Sequence, residues 1–237
     1  MVRVQPGELL KALQLGPFCT LRPSRRRLTF AQLLPLPLAQ SVDYRLYHAV
    51  NAFMRHHHGL ELAANDIETA AVILIAAAAF ALWLLARPGG SPRWKLASAS
   101  ALASAALGLV LNQAIASFWH RDRPYESHRH IYHPYAHSHD PSFPSDHTSA
   151  AFGIAFAVLL FDRALGAIFL AVAVIIAIGR VAIGAHYPGD VLGGLGVGLL
   201  SALVVVFVAR RFLALLVRIT QRVTDPLLAP IWRRVER

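Results

Sequence analysis

Residues 141–149 read Pro-Ser-Phe-Pro-Ser-Asp-His-Thr-Ser, and an apolar run from Ala150 to Phe161 follows at once. The two prolines disfavour helix just before them, and Ser145 or Asp146 can cap the helix that the apolar run predicts. A helix that begins at the end of a polar loop offers unpaired N–H groups and a partial positive charge, which suit a phosphate. An ordinary capped helix has the same pattern, so this stretch predicts a site only together with two other segments.

The composition of the chain is that of a membrane protein. Of its 237 residues, 56% are hydrophobic and only 15% are charged, whereas soluble domains average about 25% charged residues. The formal net charge is +10, but the basic residues flank apolar runs, which predicts membrane topology and argues against a nucleic-acid partner. Cys19 is the only cysteine, so the chain can form neither an intrachain disulfide nor a cysteine-based zinc site.

The apolar runs predict the fold class. Residues 42–53 carry apolar side chains at helical spacing beside polar ones, which predicts a short amphipathic helix at the membrane interface. Five longer apolar runs follow. The predicted fold is therefore all-α, a polytopic membrane helix bundle of about five spans plus an amphipathic interfacial helix. The predicted spans are Ile67–Leu85, Ala97–Trp119, His147–Phe161, Ala164–Ala185 and Val191–Ala209.

Polar and small residues near the spans support further predictions. Asn65 or Asp66 can cap the first span. Asn112 and Gln113 lie inside the second span, and we expect them to face a neighbouring helix or a cavity. Glycines in the fifth span predict close helix packing at positions 193, 194, 196 and 198.

The chain divides into three parts. Residues 1–40 form an N-terminal extension of unknown role, residues 41–211 the membrane domain, and residues 212–237 a basic cytoplasmic tail. The turn after the first span and this tail are both basic, and basic loops collect on the cytoplasmic side. The loop 120–146 and the turn 185–190 are therefore expected on the outer face.

Three polar segments are predicted to meet at that face. They are residues 120–125 (His-Arg-Asp-Arg-Pro-Tyr), the stretch that ends in His147, and residues 179–190 (Gly-Arg-Val-Ala-Ile-Gly-Ala-His-Tyr-Pro-Gly-Asp). A charge such as Arg180 within an apolar helix is costly and calls for a partner such as an anion. Taken singly, Arg121 could snorkel to the surface and Asp190 could cap a helix. Together, the segments predict an anion site.

These segments resemble the three signature motifs of the type-2 phosphatidic-acid-phosphatase superfamily. The first motif ends in Arg-Pro, here Arg123-Pro124, and the second matches residues 144–147, with Asp146 in place of glycine. The third matches at Arg180, His186 and Asp190. The resemblance covers about residues 42–211. The Phe-Pro-Ser-Asp-His form is most similar to the bacitracin-resistance type of undecaprenyl-diphosphate phosphatase, which implies a multi-pass protein of the bacterial inner membrane with its site facing the periplasm.

The resemblance also implies catalytic roles. His186 would attack the terminal phosphorus and form a phosphohistidine, Asp190 would hold the other ring nitrogen, and His147 would protonate the leaving group. No metal or cofactor would be required, because guanidinium groups would neutralise the phosphate. The implied phosphate-binding residues are Arg123, Arg180, Ser145, Arg121 and Asp146.

Two positions depart from the family pattern. The family lysine falls on Ala116, and the serine before Arg180 is Gly179. If the second span continued as helix, Ala116 would face the way Arg123 does, since seven residues make about two turns. We expect Arg121 to supply the missing charge from the loop.

The loop after the second span is rich in histidine, which leaves two interpretations open. Imidazoles can bind a transition metal, but their spacing fits no single helix face and no acidic or cysteine ligands accompany them. A loop that contacts lipid headgroups is the favoured interpretation, and no metal is expected. The histidines concerned are His128, His130, His133, His137 and His139.

The motifs imply a phosphatase for a lipid phosphate in the membrane, with hydrolysis of undecaprenyl diphosphate favoured. A phosphatase for phosphatidylglycerol phosphate or phosphatidate is the alternative, because the motifs contact phosphate and not the lipid tail. A non-enzymatic transporter or drug-resistance component is a third hypothesis. A nucleophile with an orienting acid argues against it, because a pure carrier needs neither.

Overall fold

The computed structural model describes residues 37–89, 91–128 and 138–235. Within these residues the chain is helical and contains no strand, as the sequence predicts. The eight α-helices are α1 (Pro37–Arg55), α2 (His58–Leu85), α3 (Arg93–Phe118), α4 (Pro124–Ser127), α5 (Asp146–Phe161), α6 (Arg163–Ala182), α7 (Pro188–Leu203) and α8 (Arg210–Val235). A π-helical segment, Val204–Val208, extends α7.

Five helices correspond to the five predicted spans. Three are long and apolar enough to cross a membrane: α3, α6, and α7 together with its π-helical extension. The apolar parts of α2 and α5, Ala70–Leu85 and Asp146–Phe161, are shorter. The prediction of a polytopic helix bundle is confirmed.

Helix α5 lies at the centre of the bundle and packs against α3, α6 and α7. Its middle turns are buried on every side, because Ala151, Ile154, Ala155 and Val158 are each 0% exposed. A helix that is apolar all round is suited to such a position. The central helix therefore fixes the place of the polar residues at its N-terminus.

Glycines allow α7 to approach α5 closely. A Cβ added to Gly198 would lie 2.7 Å from the backbone N of Gly153, and one on Gly194 would lie 2.8 Å from the carbonyl O of Ser145. A Cβ on Gly193 would meet the ring of Phe143 at 2.4 Å. Gly196 has no atom within 4 Å of its Cβ position, so the packing prediction is confirmed at three of these positions and wrong at this one.

Helix α1 lies as an amphipathic helix should at a membrane interface. The predicted apolar face points away from the protein: Val42, Leu46 and Phe53 are more than half exposed. The opposite face carries Tyr47, which is fully buried. This arrangement leaves the apolar face for lipid and turns the polar face toward the bundle.

Several helix ends differ from the predictions. Helix α2 begins at His58, well before the predicted caps. Helix α3 ends at Phe118 and Trp119 is extended, so the helical register from Ala116 to Arg123 does not hold. The basic C-terminal segment is the long helix α8. Most of the extension 1–40 lies outside the described residues, as do His130, His133 and His137.

The two polar residues of α3 differ from each other. Asn112 is buried and its side chain contacts α5, as predicted, where its Nδ2 donates to Asp146 Oδ1 (2.7 Å) and Ser149 Oγ (2.9 Å). Gln113 is exposed, contrary to the prediction. Neighbouring positions on a helix point about 100° apart, so one polar residue can face α5 while the next cannot.

Candidate active site

The three polar segments of the sequence meet at one end of the bundle. The chain enters this end after α3 and after α6, and leaves it through α5 and α7. Backbone hydrogen bonds join the segments: Ser142 N donates to the carbonyl O of Arg121 (2.7 Å), and Ser145 N donates to that of Asp190 (3.1 Å). The site is therefore built by the backbone as well as by side chains.

His186 lies at the centre of this cluster and is 1% exposed. Its Nδ1 is 2.8 Å from the carbonyl O of Ser142, which assigns the ring proton to Nδ1. Its Nε2 then carries the lone pair and lies 3.4 Å from Nη1 of Arg123. A turn with Gly184 at φ 75° places the ring here, a left-handed conformation that glycine adopts readily.

The surroundings of His186 keep its ring neutral. Burial lowers the pKa of His186 to about 4, and the positive charges of Arg180 and Arg123 act in the same direction, while the Asp190 carboxylate acts against them. A neutral imidazole with a free Nε2 lone pair is the form that can attack an electrophile. The neighbouring arginines are placed where an anion would bind.

Asp190 is fully buried and makes three strong contacts. It accepts hydrogen bonds from Ser142 Oγ (2.5 Å), the backbone N of Tyr187 (2.8 Å) and Arg121 Nη1 (2.7 Å). Its Oδ2 is 3.8 Å from Nδ1 of His186. The direct bond that the resemblance implies is not formed here, because the Ser142 carbonyl takes the Nδ1 proton. Asp190 instead reaches His186 through Ser142.

Arg121 lies between two carboxylates. Its Nη1 donates to Asp190 and its Nη2 donates to Asp43 Oδ2 (2.6 Å), while its guanidinium lies 4.1 Å above the ring of Tyr187. Both terminal nitrogens of Arg121 therefore already donate to carboxylates. This placement does not favour the predicted role of Arg121 as the substitute for the family lysine, because its charge is already matched by the two acids.

Asp43, on the interfacial helix α1, is a site residue that the sequence reasoning missed. Its Oδ1 accepts from the backbone N of Gly189 (2.7 Å) and its Oδ2 from Arg121. A Cβ on Gly189 would lie 2.9 Å from Asp43 Oδ2, so glycine permits this contact. Asp43 belongs to the polar face of a predicted amphipathic helix, and nothing in the pattern distinguishes such a residue from a solvated one.

The predicted cations and the second histidine lie close to His186. Arg123 is 8% exposed and Arg180 is 7% exposed. Arg123 Nε donates to the carbonyl O of Asp140 (2.9 Å), which fixes the guanidinium. His147, in the first turn of α5, interacts electrostatically with Arg180, His186 and Arg123. The structure thus brings together four of the predicted residues.

The two residues before His147 differ in their contacts. Ser145 is fully buried, and its Oγ accepts a hydrogen bond from Thr148 Oγ1 (3.0 Å). The Asp146 carboxylate accepts from Asn112 Nδ2 and so ties α5 to α3. This contact accounts for a side chain at Asp146, and a carboxylate is a poor ligand for a phosphate.

Tyr125, two residues after Arg123, contacts Ser138 through its hydroxyl group. The Tyr125 hydroxyl donates to the carbonyl O of Ser138 (2.7 Å) and accepts from the backbone N of the same residue (3.0 Å). This double contact joins the two ends of the segment that lies outside the described residues.

Among the described residues, no group of three His, Cys, Asp or Glu side chains could hold a metal ion.

Comparisons with known proteins agree with this architecture. Residues 97–213 match the family model of the PAP2 superfamily. Undecaprenyl-diphosphatase BcrC of Bacillus subtilis is 30% identical over 175 residues, which cover 74% of this chain and 86% of the relative. Lipid A 1-phosphatase of Rhizobium johnstonii is 50% identical over 74 residues, covering 29% of this chain and 30% of the relative. A crystal structure of a transmembrane PAP2-type phosphatidylglycerolphosphate phosphatase from Bacillus subtilis has a TM-score of 0.56 at 22% identity, covering 76% of this chain and 90% of that one.

The fold and the site define a multi-pass membrane phosphatase. The chain belongs to the PAP2 superfamily. The family model matches over the bundle, and the BcrC relative matches over most of both chains. The family accounts for the helix bundle and for phosphate hydrolysis. It does not by itself specify the lipid.

Proposed function

We propose that the protein hydrolyses undecaprenyl diphosphate to undecaprenyl phosphate through a phosphohistidine on His186. The single observation that carries this proposal is the state of the His186 ring. Its Nδ1 proton is held by the Ser142 carbonyl, and its Nε2 lone pair lies 3.4 Å from the Arg123 guanidinium. A nucleophile directed at an anion-binding group is what phosphoryl transfer requires.

In the first step, Nε2 of His186 attacks the terminal phosphorus and the bond from phosphorus to the bridging oxygen breaks. Arg123 and Arg180 stabilise the charge on the equatorial oxygens, and Ser145 with the N–H groups at the start of α5 adds donors. His147 gives a proton to the leaving oxygen. As Nε2 becomes bonded to phosphorus, the ring gains positive charge, which Asp190 stabilises through Ser142.

In the second step, water cleaves the phosphohistidine. His147, now neutral, takes a proton from the water as its oxygen bonds to phosphorus and the bond to Nε2 breaks. Inorganic phosphate leaves, and His186 regains its lone pair. No group other than water is consumed, so the atoms balance.

Asp43 and Arg121 support this chemistry as positioning residues. Asp43 holds both Arg121 and the backbone of Gly189, and Arg121 holds Asp190. A guanidinium between two carboxylates fixes each of them, and comparable supporting contacts at metal sites change activity by about 10- to 100-fold. In this proposal the interfacial helix thus takes part in ordering the site.

Undecaprenyl diphosphate is the favoured substrate because the relative that matches over most of both chains carries that activity in its name. The shorter match to a lipid A phosphatase favours a second candidate, a phosphate on another lipid. Phosphatidylglycerol phosphate and phosphatidate are further members of that class. In this proposal the side chains around His186 bind the phosphate and not the lipid tail, so experiment assigns the lipid.

The deciding experiment is phosphate release in detergent from a panel of undecaprenyl diphosphate, phosphatidylglycerol phosphate, phosphatidate and lipid A. We expect the highest kcat/KM on undecaprenyl diphosphate, and no release from any member by His186→Gln. A tenfold or greater preference for another lipid would transfer the substrate assignment to that lipid. Normal turnover by His186→Gln would overturn the mechanism itself.

The site is proposed to face the periplasm of a bacterial inner membrane, with the basic end of the bundle in the cytoplasm. In a Cys19→Ser background, a cysteine introduced at exposed His139 should react with an impermeant maleimide in intact spheroplasts. A cysteine introduced at Gly89, in the turn between α2 and α3, should react only after lysis. The reverse labelling would invert the orientation.

A further inference from the structure

The end of the bundle opposite the candidate active site contains a large cavity of about 910 Å³. It lies where α3 begins, α5 ends, the π-helical extension of α7 ends and α8 begins. Its apolar wall includes Leu96, Leu160 and Val205–Phe207. A cavity of this size is in the range that holds a ligand rather than a few water molecules. We call it the basal cavity.

Four arginines line the basal cavity: Arg93, Arg210, Arg211 and Arg218. Arg93 donates to the carbonyl O of Phe161 and lies 3.8 Å from the Asp162 carboxylate, so its charge is partly matched. In the part of the chain that the structure describes, no carboxylate forms an ion pair with the other three arginines. The cavity therefore combines an excess of positive charge with an apolar wall, and the unmatched charge favours an anion.

A second observation points to a polar ligand inside the cavity. Ser100, which lines it, is 1% exposed, and its Oγ has no hydrogen-bond partner within the described residues. Leaving a buried hydroxyl without a partner is unfavourable. In addition, Arg93 and Arg210 are the first residues of α3 and α8, so two helices begin at the cavity wall. Helix N-termini favour anions.

The π-helical segment shapes this site. A π-helical turn widens the helix and is often found at functional positions. Here Val204–Val208 lies at the end of α7 and contributes three residues to the cavity wall. The backbone then bends at Ala209, and Arg210 and Arg211 follow directly. The irregular turn thus brings two guanidinium groups to the mouth of an apolar cavity.

We propose that the basal cavity binds the phosphate of an anionic membrane lipid, separately from the candidate active site. The arginines and the Ser100 hydroxyl would contact the phosphate, and the apolar walls would contact the first carbons of the acyl chains. A free phosphate ion would use the cations but not these walls, so the mixed lining selects an amphiphile. Arginine pairs suit phosphate because each guanidinium offers several donors in one plane.

The test is lipid retention by the purified full-length protein, measured by native mass spectrometry. The probe is phosphatidylglycerol, a phosphodiester without a terminal phosphate for the active site to remove, and phosphatidylcholine is the neutral comparison. We expect one phosphatidylglycerol to be retained in preference to phosphatidylcholine. The variant Arg210→Gln with Arg218→Gln should reduce that retention by roughly tenfold, since basic side chains near lipid phosphates dominate such binding.

The matched control removes the same charge elsewhere on the same helix. Arg222 and Arg233 are exposed on α8 and do not line the cavity, so Arg222→Gln with Arg233→Gln should keep the lipid. A plug, Ala214→Trp, leaves every charge in place and should also release the lipid, because Ala214 lines the cavity. Size-exclusion elution as a single species verifies that each variant is folded.

Three results would overturn the proposal. Equal losses of bound lipid in the Arg210→Gln/Arg218→Gln and Arg222→Gln/Arg233→Gln variants would show general attraction to a basic surface and not a specific site. Equal retention of phosphatidylglycerol and phosphatidylcholine would show that charge does not matter. Displacement of the lipid by millimolar inorganic phosphate would identify a soluble anion as the ligand. Phosphatidylglycerol is the product of one candidate reaction, so the test rests on the variants, which change residues of the basal cavity and leave the candidate active site intact.

Discussion

The two ends of the bundle both concentrate arginine, but they hold it differently. At the candidate active site, Arg121 donates to the Asp190 carboxylate and Arg123 donates to the Asp140 carbonyl. His186 and Asp190 are almost completely buried. At the basal cavity, Arg210, Arg211 and Arg218 are exposed side chains around a space of about 910 Å³. Fixed donors favour chemistry, since a preorganised site needs little rearrangement in the transition state. Loosely held donors favour binding without chemistry.

The largest effect should come from removing the nucleophile at the ordered end. His186→Gln should lower kcat by about 10⁴-fold or more, since loss of a nucleophile removes the covalent route altogether. Phosphate release is the measurement, and alkali-quenched wild-type protein should carry a phosphohistidine that the variant lacks. Arg222→Gln, an exposed change on α8, is the control and should keep normal turnover. A phosphoenzyme in the variant would assign the nucleophile to another residue.

A smaller effect should follow when the support from α1 is weakened. Asp43→Asn keeps a single acceptor oxygen, so it cannot bind both Arg121 and the Gly189 N–H. We expect kcat to fall by about tenfold with KM little changed, because Asp43 orders the site without contacting phosphate.

A double-mutant cycle separates this role from general destabilisation. Asp43→Asn in an Arg121→Gln background should cost much less than in the wild type, because the two residues act through one contact. Fully additive losses would show that Asp43 does not act through Arg121.

Packing between α5 and α7 links the two ends and can be tested by a matched pair of glycines. Gly198→Ala would place a Cβ 2.7 Å from the backbone of Gly153, whereas Gly196→Ala meets nothing within 4 Å. We expect the first change to lower stability by about 1–3 kcal/mol and the second to leave it unchanged or slightly higher. Thermal unfolding in one detergent measures both. An equal response would show that α5 and α7 pack less closely.

The smallest effect concerns pH and the buried imidazole. The pKa of His186 is about 4 in the folded protein, against 6.5 for an ordinary histidine. Between these values the unfolded chain binds a proton that the folded protein does not, so stability falls as pH falls from about 6.5 to about 4. The wild type should therefore lose more Tm between pH 7 and pH 5 than His186→Asn does. An equal loss in the two proteins would contradict a neutral, buried His186.

The sequence predicted the helix bundle and the convergence of the motifs, but it did not predict the hydrogen bonds that orient the His186 ring. The apolar runs and the order of the motifs are enough to predict that four residues meet at one end of the bundle: Arg123, His147, Arg180 and His186. The acceptor for Nδ1 is a backbone carbonyl, that of Ser142, and every residue has one. Only the folded loop reveals which carbonyl is used.

Arg121 illustrates the same limit for side chains. Its partners, Asp43 and Asp190, are 78 and 69 positions away in sequence. The expectation that it supplies the missing charge from the loop took account of its charge but not of these two acids, which bind both of its terminal nitrogens. The sequence shows that residue 121 is positively charged, but only the tertiary structure shows which carboxylates it binds.

The double hydrogen bond between Tyr125 and Ser138 has an evolutionary consequence. It joins the chain on both sides of residues 129–137, while Arg123 and Asp140 lie just outside the joined ends. Insertions or deletions between the joined ends therefore need not move the guanidinium. The length and composition of residues 129–137 can therefore vary between related chains without a change in the position of Arg123.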